Sequence, residues 1–216
     1  MKITIVTNGK IENLTWLKMK LKENSGKEDF VICADGAAKY FRRVNRVPDL
    51  LMGDLDSIDG DSRKWMEEQG VPLKKFPKRK DHTDTEIALD YSMSKKPDTI
   101  EVLGAFGSRM DHTLANIQLL EKFHDSNTTI RLMDDQNELW LLKKHTRITG
   151  RKNENLSILP ITQSVKGVTL KGFEYPLENK ELHRGHTLGI SNIIRAEVAV
   201  ITFKEGKLLG VIAADG

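Results

Sequence analysis

Carboxylates recur along the first part of the chain, each time just after a short apolar run. Asp35 follows Phe30-Val31-Ile32-Cys33-Ala34, and Asp54 and Asp56 follow Leu50-Leu51-Met52-Gly53. Asp81 and Asp84 follow Val71–Phe76, and Arg109 and Asp111 follow Thr99–Leu103. Two hard oxygen ligands as close as Asp54 and Asp56 suit a Mg²⁺ ion that also holds phosphates. Asp is common in turns after strands, so one Asp-x-Asp does not establish such a site. The recurrence carries more weight. If the runs are parallel strands, all these groups lie along one sheet edge, where ligands bind in open α/β sheets. So many like charges repel one another unless a cation stands among them, and a divalent metal with a polyphosphate is the simplest resolution.

The basic residues are read against that edge. Lys74 and Lys75 belong to a solvated face, whereas Arg79 and Lys80 immediately precede Asp81 and are placed to neutralise phosphate oxygens. Nucleic-acid binding is not expected, because the run is short and only Phe76 interleaves it. Thr83-Asp84-Thr85-Glu86 fits a capping box, with Thr83 capping and Glu86 reaching back, which leaves Asp81 outside the cap. Gly104-x-x-Gly107 followed by Arg109 and Asp111 has two readings. It is a helix start with an acidic first turn, or it sets backbone N–H groups and Arg109 against phosphate. His82 and His112 show no zinc-ligand spacing. There is no P-loop, no Gly-x-Gly-x-x-Gly after the first strand and no Gly-x-Ser-x-Gly elbow.

Strand and helix signals alternate through this half. Strands are expected at Lys2–Thr7, Asp29–Ala34, Asp49–Met52, Val71–Phe76, Thr99–Leu103 and Thr128–Met133. Helices are expected around Leu14, Leu17 and Leu21, over Ala37–Arg43 and Asp61–Gln69, from Thr83 to Ser94, and from Ser108 to Phe123. Leu114, Ile117 and Leu120 are the expected core stripe of the last one. This alternation predicts a mostly parallel Rossmann-like sheet with helices on both faces. The pattern changes near Asp134, after which short alternating runs and glycines replace helices, and Glu205-Gly206 is read as a hairpin joining Glu197–Phe203 to Lys207–Ala213. An α/β domain over residues 1–135 and an antiparallel all-β domain over 136–216, a sandwich in preference to a barrel, are expected.

Composition agrees with a water-soluble protein rather than a membrane protein: 38% of residues are hydrophobic, 30% charged, and the net charge is only +3. No run approaches a membrane span, and the N-terminus enters a strand pattern without a secretory signal. The lone Cys33 cannot form an internal disulfide. A cytoplasmic location is therefore expected.

Four segments of the first half and one of the second, taken together, resemble the thiamine pyrophosphokinase family, bacterial type, across nearly the whole chain. They are Ala34-Asp35-Gly36-Ala37, Gly53–Ser57, Asp81–Leu89, Gly104–His112 and Gly189-Ile190-Ser191-Asn192. The resemblance implies a homodimer with active sites between subunits, and transfer of pyrophosphate from ATP to thiamine with Mg²⁺, giving thiamine diphosphate and AMP. It implies Asp54, Asp56 and Asp81 as catalytic residues and metal ligands. Arg79, Lys80 and Arg109 would oppose phosphate charge, and Asp35, Thr83, Asp84 and Asp111 would complete the nucleotide site. Ser191 and Asn192 would bind thiamine from the partner subunit's β-domain. Two positions depart from the family pattern: Asn8, tolerant of positive φ, stands in an expected Gly-Gly pair, and Ser108 replaces a usual Gly. The rival readings are a metal-dependent nucleotide-sugar glycosyltransferase and a non-catalytic thiamine- or nucleotide-binding module.

Overall fold

Strands buried on both faces read as continuous apolar runs, and β2 (Phe30–Ala34) and β3 (Leu50–Gly53) are buried almost end to end. They belong to a computed structural model that describes residues 1–23, 29–76, 82–124 and 126–214. The chain divides into two compact units, Met1–Asp135 and Gln136–Gly216.

In the first unit β1 (Lys2–Val6), β2, β3, β4 (Leu73–Lys75), β5 (Thr99–Leu103) and β6 (Thr129–Met133) run in the order β6-β5-β1-β2-β3-β4. Their pairings are all parallel. The chain winds outward from β1 to β4, then returns to place β5 on the other side of β1. The switch point therefore lies between β1 and β5, where a crevice opens beyond the strands' carboxyl ends. The connecting helices are α1 (Leu14–Glu23), α2 (Ala38–Val44), α3 (Gly60–Glu68), α4 (Asp84–Ser94) and α5 (Met110–Lys122), and a 3-10 turn over Asp35–Ala37 precedes α2.

Helices cover both faces of this sheet. Leu17 and Leu21 of α1, Phe41 of α2 and Met66 of α3 pack with Val6, Val31, Cys33 and Leu51 in one core. Strand side chains alternate between faces, so Ile5 and Ile32 serve the opposite one, where α4 contacts β1, β2 and β3. Phe41 is fully buried, and cutting it to Ala would cost ~3–5 kcal/mol. The expected core stripe of α5 is corrected. Leu120 is buried, but Leu114 is 55% exposed, and the buried neighbour of Leu120 on the helix is the polar Asn116.

The second unit is antiparallel. One sheet has the order β12-β9-β14-β7 and the other β11-β10-β13-β8. The strands are β7 (Asn137–Leu141), β8 (His145–Thr149), β9 (Asn155–Pro160), β10 (Ser164–Lys171), β11 (Leu177–His183), β12 (Asn192–Ile193), β13 (Val198–Thr202) and β14 (Leu208–Ala213). Side chains from both sheets, among them Leu156, Ile158, Val168, Leu170 and Ile201, form its core, which makes the unit a sandwich. The expected hairpin through Glu205-Gly206 is a correction. β13 pairs with β10 and β8, whereas β14 pairs with β7 and β9. The turn carries the chain from one sheet to the other.

Candidate active site

The acidic site is built by the exits of β2 and β3. As β2 ends, Asp35 adopts a left-handed backbone (φ 39), an unusual conformation for a residue with a Cβ. Its side chain is 1% exposed. Oδ2 accepts a hydrogen bond from the Ser57 amide at 3.1 Å, but Oδ1 has no partner among the described residues. After β3, Leu55 is also left-handed (φ 68), and the Asp56 amide turns back onto Asp54 Oδ1 at 3.1 Å. The Ser57 hydroxyl donates to Asp56 Oδ1 at 3.0 Å. Asp35, Asp54 and Asp56 thus each offer an oxygen within 4.8 Å of the others'. A buried carboxylate oxygen without a donor, facing two further carboxylates, is chemistry suited to a divalent cation.

Gly53 makes the approach possible. It has φ 151, and a Cβ there would meet Asp35 Cβ at 2.8 Å. Burial raises the Asp35 carboxyl above its ordinary range; the Ser57 amide pulls it down, and Asp54 and Asp56 push it up.

Asp84 opens α4, where the Thr83 hydroxyl caps the helix by accepting from the Glu86 amide at 3.2 Å. Glu86 does not close the expected box: its carboxylate is taken by Lys122 Nζ (2.9 Å) and His82 Nδ1 (3.1 Å). The Asp84 carboxyl is pushed up to about 6, first by desolvation and then by the charges of Asp35, Asp54 and Asp56. It keeps contact with solvent, so protein packed around a concave mouth, rather than full enclosure, causes that desolvation.

The other wall comes from the switch point. Thr7 Oγ1 donates to Gly104 O at 2.6 Å, the Gly9 amide to Gly104 O at 3.1 Å and the Lys10 amide to Phe106 O at 2.9 Å. From α5, Asn116 Nδ2 donates to Ala105 O at 2.7 Å and Thr113 Oγ1 accepts from the Gly107 amide at 3.3 Å. The loop after β5 is therefore fixed from two sides. Neither Asn8 nor Ser108 adopts a left-handed backbone. The glycine requirement falls on Gly9, where a Cβ would lie 2.1 Å from Gly104 O.

These walls enclose a cavity of about 710 Å³, whose lining includes Asp54, Asp56, Thr83, Asp84 and Arg109. Neither Asp35 nor Asp111 is part of that lining, although the sequence placed both there; Asp35 is buried and joins the site through Asp54 and Asp56, which do line it. Asp111 lies apart. It is exposed and paired with Arg109, whose Nε lies 3.0 Å from Asp111 Oδ1. That guanidinium holds the Asp111 carboxyl well below the usual range. The expected site residues Arg79, Lys80 and Asp81 lie outside the described residues. Asn8, Lys39, Tyr40 and Asn116 line the cavity and were missed. Lys39 stands in the first turn of α2, just past the Asp35 exit.

Ser191 and Asn192 belong to the second unit. Ser191 is exposed and left-handed (φ 53), its amide held by Ser157 Oγ at 2.9 Å. Asn192 is buried, and its carboxamide spans the Tyr175 backbone, accepting from the amide (3.0 Å) and donating to the carbonyl (2.7 Å). The Tyr175 ring is 64% exposed.

Among the described residues no helix is long and apolar enough to cross a membrane. The family model for the thiamin pyrophosphokinase catalytic domain matches residues 21–132, and that for the family's vitamin B1 binding domain matches residues 143–208. Thiamine pyrophosphokinase of Bacillus subtilis is 36% identical over 172 residues, covering 78% of this chain and 80% of that protein. Thiamine pyrophosphokinase 1 of Oryza sativa is 29% identical over 197 residues, covering 79% and 74%. The crystal structure of the Bacillus subtilis enzyme superposes over the full length of both chains with a TM-score of 0.88 at 30% identity. The acidic crevice, the sandwich unit and these matches together place the chain in the thiamin pyrophosphokinase family.

Proposed function

We propose that this protein makes thiamine diphosphate by moving the pyrophosphoryl group of ATP onto the hydroxyl of thiamine, releasing AMP. The observation that carries the reading is the Asp35–Asp54–Asp56 cluster, of which Asp54 and Asp56 line the switch-point cavity, within a chain of this family. The thiamine hydroxyl oxygen bonds to the β-phosphorus as the bond from that phosphorus to the α–β bridging oxygen breaks. The bridging oxygen leaves with AMP, and a carboxylate of the mouth takes the hydroxyl proton. Positioning and charge neutralisation do most of the work in such transfers.

Asp35, Asp54 and Asp56 are the described residues that would hold Mg²⁺. When bound, the ion supplies charge neutralisation for the phosphate oxygens. Asp35 thereby joins Asp54 and Asp56, which the sequence had grouped with Asp81. Thr83 and Asp84 border the same mouth. The fixed Gly104–Ser108 loop gives the nucleotide a rigid wall.

Thiamine is assigned to the second unit. The exposed Ser191 hydroxyl is free to reach a ligand, while Asn192 acts by holding Tyr175, whose exposed ring suits a cationic heterocycle. Exposed Leu188 and Ile190 beside Ser191 favour a homodimer in which this surface meets the partner's crevice. The buried free thiol of Cys33 fits the reducing cytoplasm.

The test is to incubate the protein with ATP, thiamine and Mg²⁺ and separate the products. Equal amounts of AMP and thiamine diphosphate are expected, abolished by EDTA and reduced by orders of magnitude in Asp54→Asn at an unchanged melting temperature. Stoichiometric binding without turnover would replace this reading with a binding module.

A further inference from the structure

Lys10, Lys39 and Arg109 are the lysines and arginines among the described residues that line the cavity. Two of the three are already neutralised. Lys10 Nζ lies 2.8 Å from Glu12 Oε1, and the Arg109 guanidinium is engaged by Asp111. Both pairs are largely exposed, and each sets a carboxylate beside the cation that the oxygens of an anionic ligand would have to approach. Lys39 is different. Its Nζ donates to Asn8 Oδ1 at 2.7 Å and stands 4.9 Å from the centre of the Tyr40 ring. No described carboxylate lies within ion-pair distance of it, although the cavity gathers carboxylates.

The groups that hold Lys39 are themselves held. Tyr40 is 5% exposed, and its hydroxyl donates to Gly9 O at 2.6 Å and accepts from the Ile11 amide at 3.2 Å. The Asn8 carboxamide packs against Gly36, where a Cβ would lie 2.4 Å from Asn8 Nδ2. A carboxamide oxygen and a ring face orient an ammonium without cancelling its charge. Further N–H groups of the ammonium remain for another acceptor. A half-buried, oriented cation with no counter-charge among the described residues is a prepared anion site.

We propose that Lys39 is, among the described residues, the phosphate-binding cation of this cavity, holding the polyphosphate chain of the nucleotide, and that Asn8 and Tyr40 are its positioning residues. The assignment rests on the nucleotide-dependent reading above and adds Lys39 to the Arg79, Lys80 and Arg109 to which the sequence gave that role.

Calorimetric titration with ATP and with inorganic tripolyphosphate, each with Mg²⁺, tests it, because the two ligands share only the phosphate chain. In Lys39→Gln both affinities should fall by about 10- to 100-fold, the effect of losing a charge-assisted hydrogen bond. Lys39→Arg should recover part of the loss, and Arg109→Gln should lose less than Lys39→Gln. The KM for thiamine should not move in any of them. If Lys39→Gln lowers the melting temperature, Lys39→Arg and Asn8→Ala, which keep the charge, carry the comparison: both must bind tripolyphosphate better than Lys39→Gln. Unchanged affinity in Lys39→Gln overturns the proposal, as does loss of ATP binding with tripolyphosphate binding intact. Parental protein that makes AMP while Lys39→Gln binds normally refutes only the Lys39 assignment. Parental protein that binds neither ligand refutes the nucleotide reading as well.

Discussion

Replacing Asp35 by Asn should stabilise the metal-free protein and disable the metal-bound one. The carboxylate is buried, with one oxygen on the Ser57 amide and the other unpartnered. Asn keeps an oxygen for Ser57 and turns the orphaned atom into an N–H donor facing Asp54 and Asp56. Removing an unsatisfied buried polar atom is worth ~1–2 kcal/mol. For a chain of this size each kcal/mol moves the melting temperature by about 2–4 °C. In EDTA the variant should therefore melt a few degrees above the parent. Saturating Mg²⁺ reverses the order. At a hundredfold excess over Kd a ligand adds ~2.7 kcal/mol to the parent, and the variant, lacking one of three carboxylates, gains much less. The assay is a thermal melt of both proteins in EDTA and in Mg²⁺. A variant that melts lower than the parent in EDTA, yet gains the same increment from Mg²⁺, would refute the reasoning. Asp35 would then be only a prop for the Ser57 amide.

The raised carboxyls make stability fall with rising pH when metal is absent. The folded protein holds protons on Asp84, and in the same direction on Asp35, that the unfolded chain has released, so stability is lost between the ordinary value of 3.8 and about 6. For Asp84 the displacement corresponds to ~3 kcal/mol unscreened, which its solvent contact reduces to ~1 kcal/mol. Denaturant melts in EDTA should show this as a pH-dependent difference between the parent and Asp84→Asn, and a difference flat across the window would contradict it. Gly53→Ala should abolish the Mg²⁺-induced rise in melting temperature by pushing its methyl into Asp35, 2.8 Å away; an undiminished rise would show that the cluster tolerates the displacement. Mixing Asp54→Asn with Ser191→Ala subunits should restore about one quarter of parental activity if sites form between subunits, through heterodimers with one intact site. No recovery after verified subunit exchange would place each site within one chain.

The first unit was legible because its chemistry and its folding signals coincide. A parallel strand reads as an unbroken apolar run, and the same rule that sets the strand places Asp35, Asp54 and Asp56 at its carboxyl end. The second unit was harder for the same physical reason. In β8 only Ile148 is buried, in β11 only Leu182, and β12 has two residues, so alternation had almost nothing to display. The hairpin through Gly206 failed because a turn signal records a change of direction and not which sheet receives the next strand. Arg109 and Asp111 were read either as a helix start or as facing phosphate, and the fold pairs these opposite charges, two residues apart, with each other. Leu114 fits the periodicity of a core residue, but the cavity side of α5 is given to Thr113 and Asn116. The orphaned Asp35 oxygen and the uncompensated Lys39 have no one-dimensional signature. Both depend on which donors and acceptors the fold withholds from them.

The central claim is that an intact pyrophosphoryl group moves in one step. Position-specific labelling of ATP tests it most directly. With the protein, thiamine and Mg²⁺, label in the α-phosphate should appear only in AMP, and label in the β-phosphate only in thiamine diphosphate. ADP carrying both labels, with thiamine monophosphate that carries neither, would contradict the account.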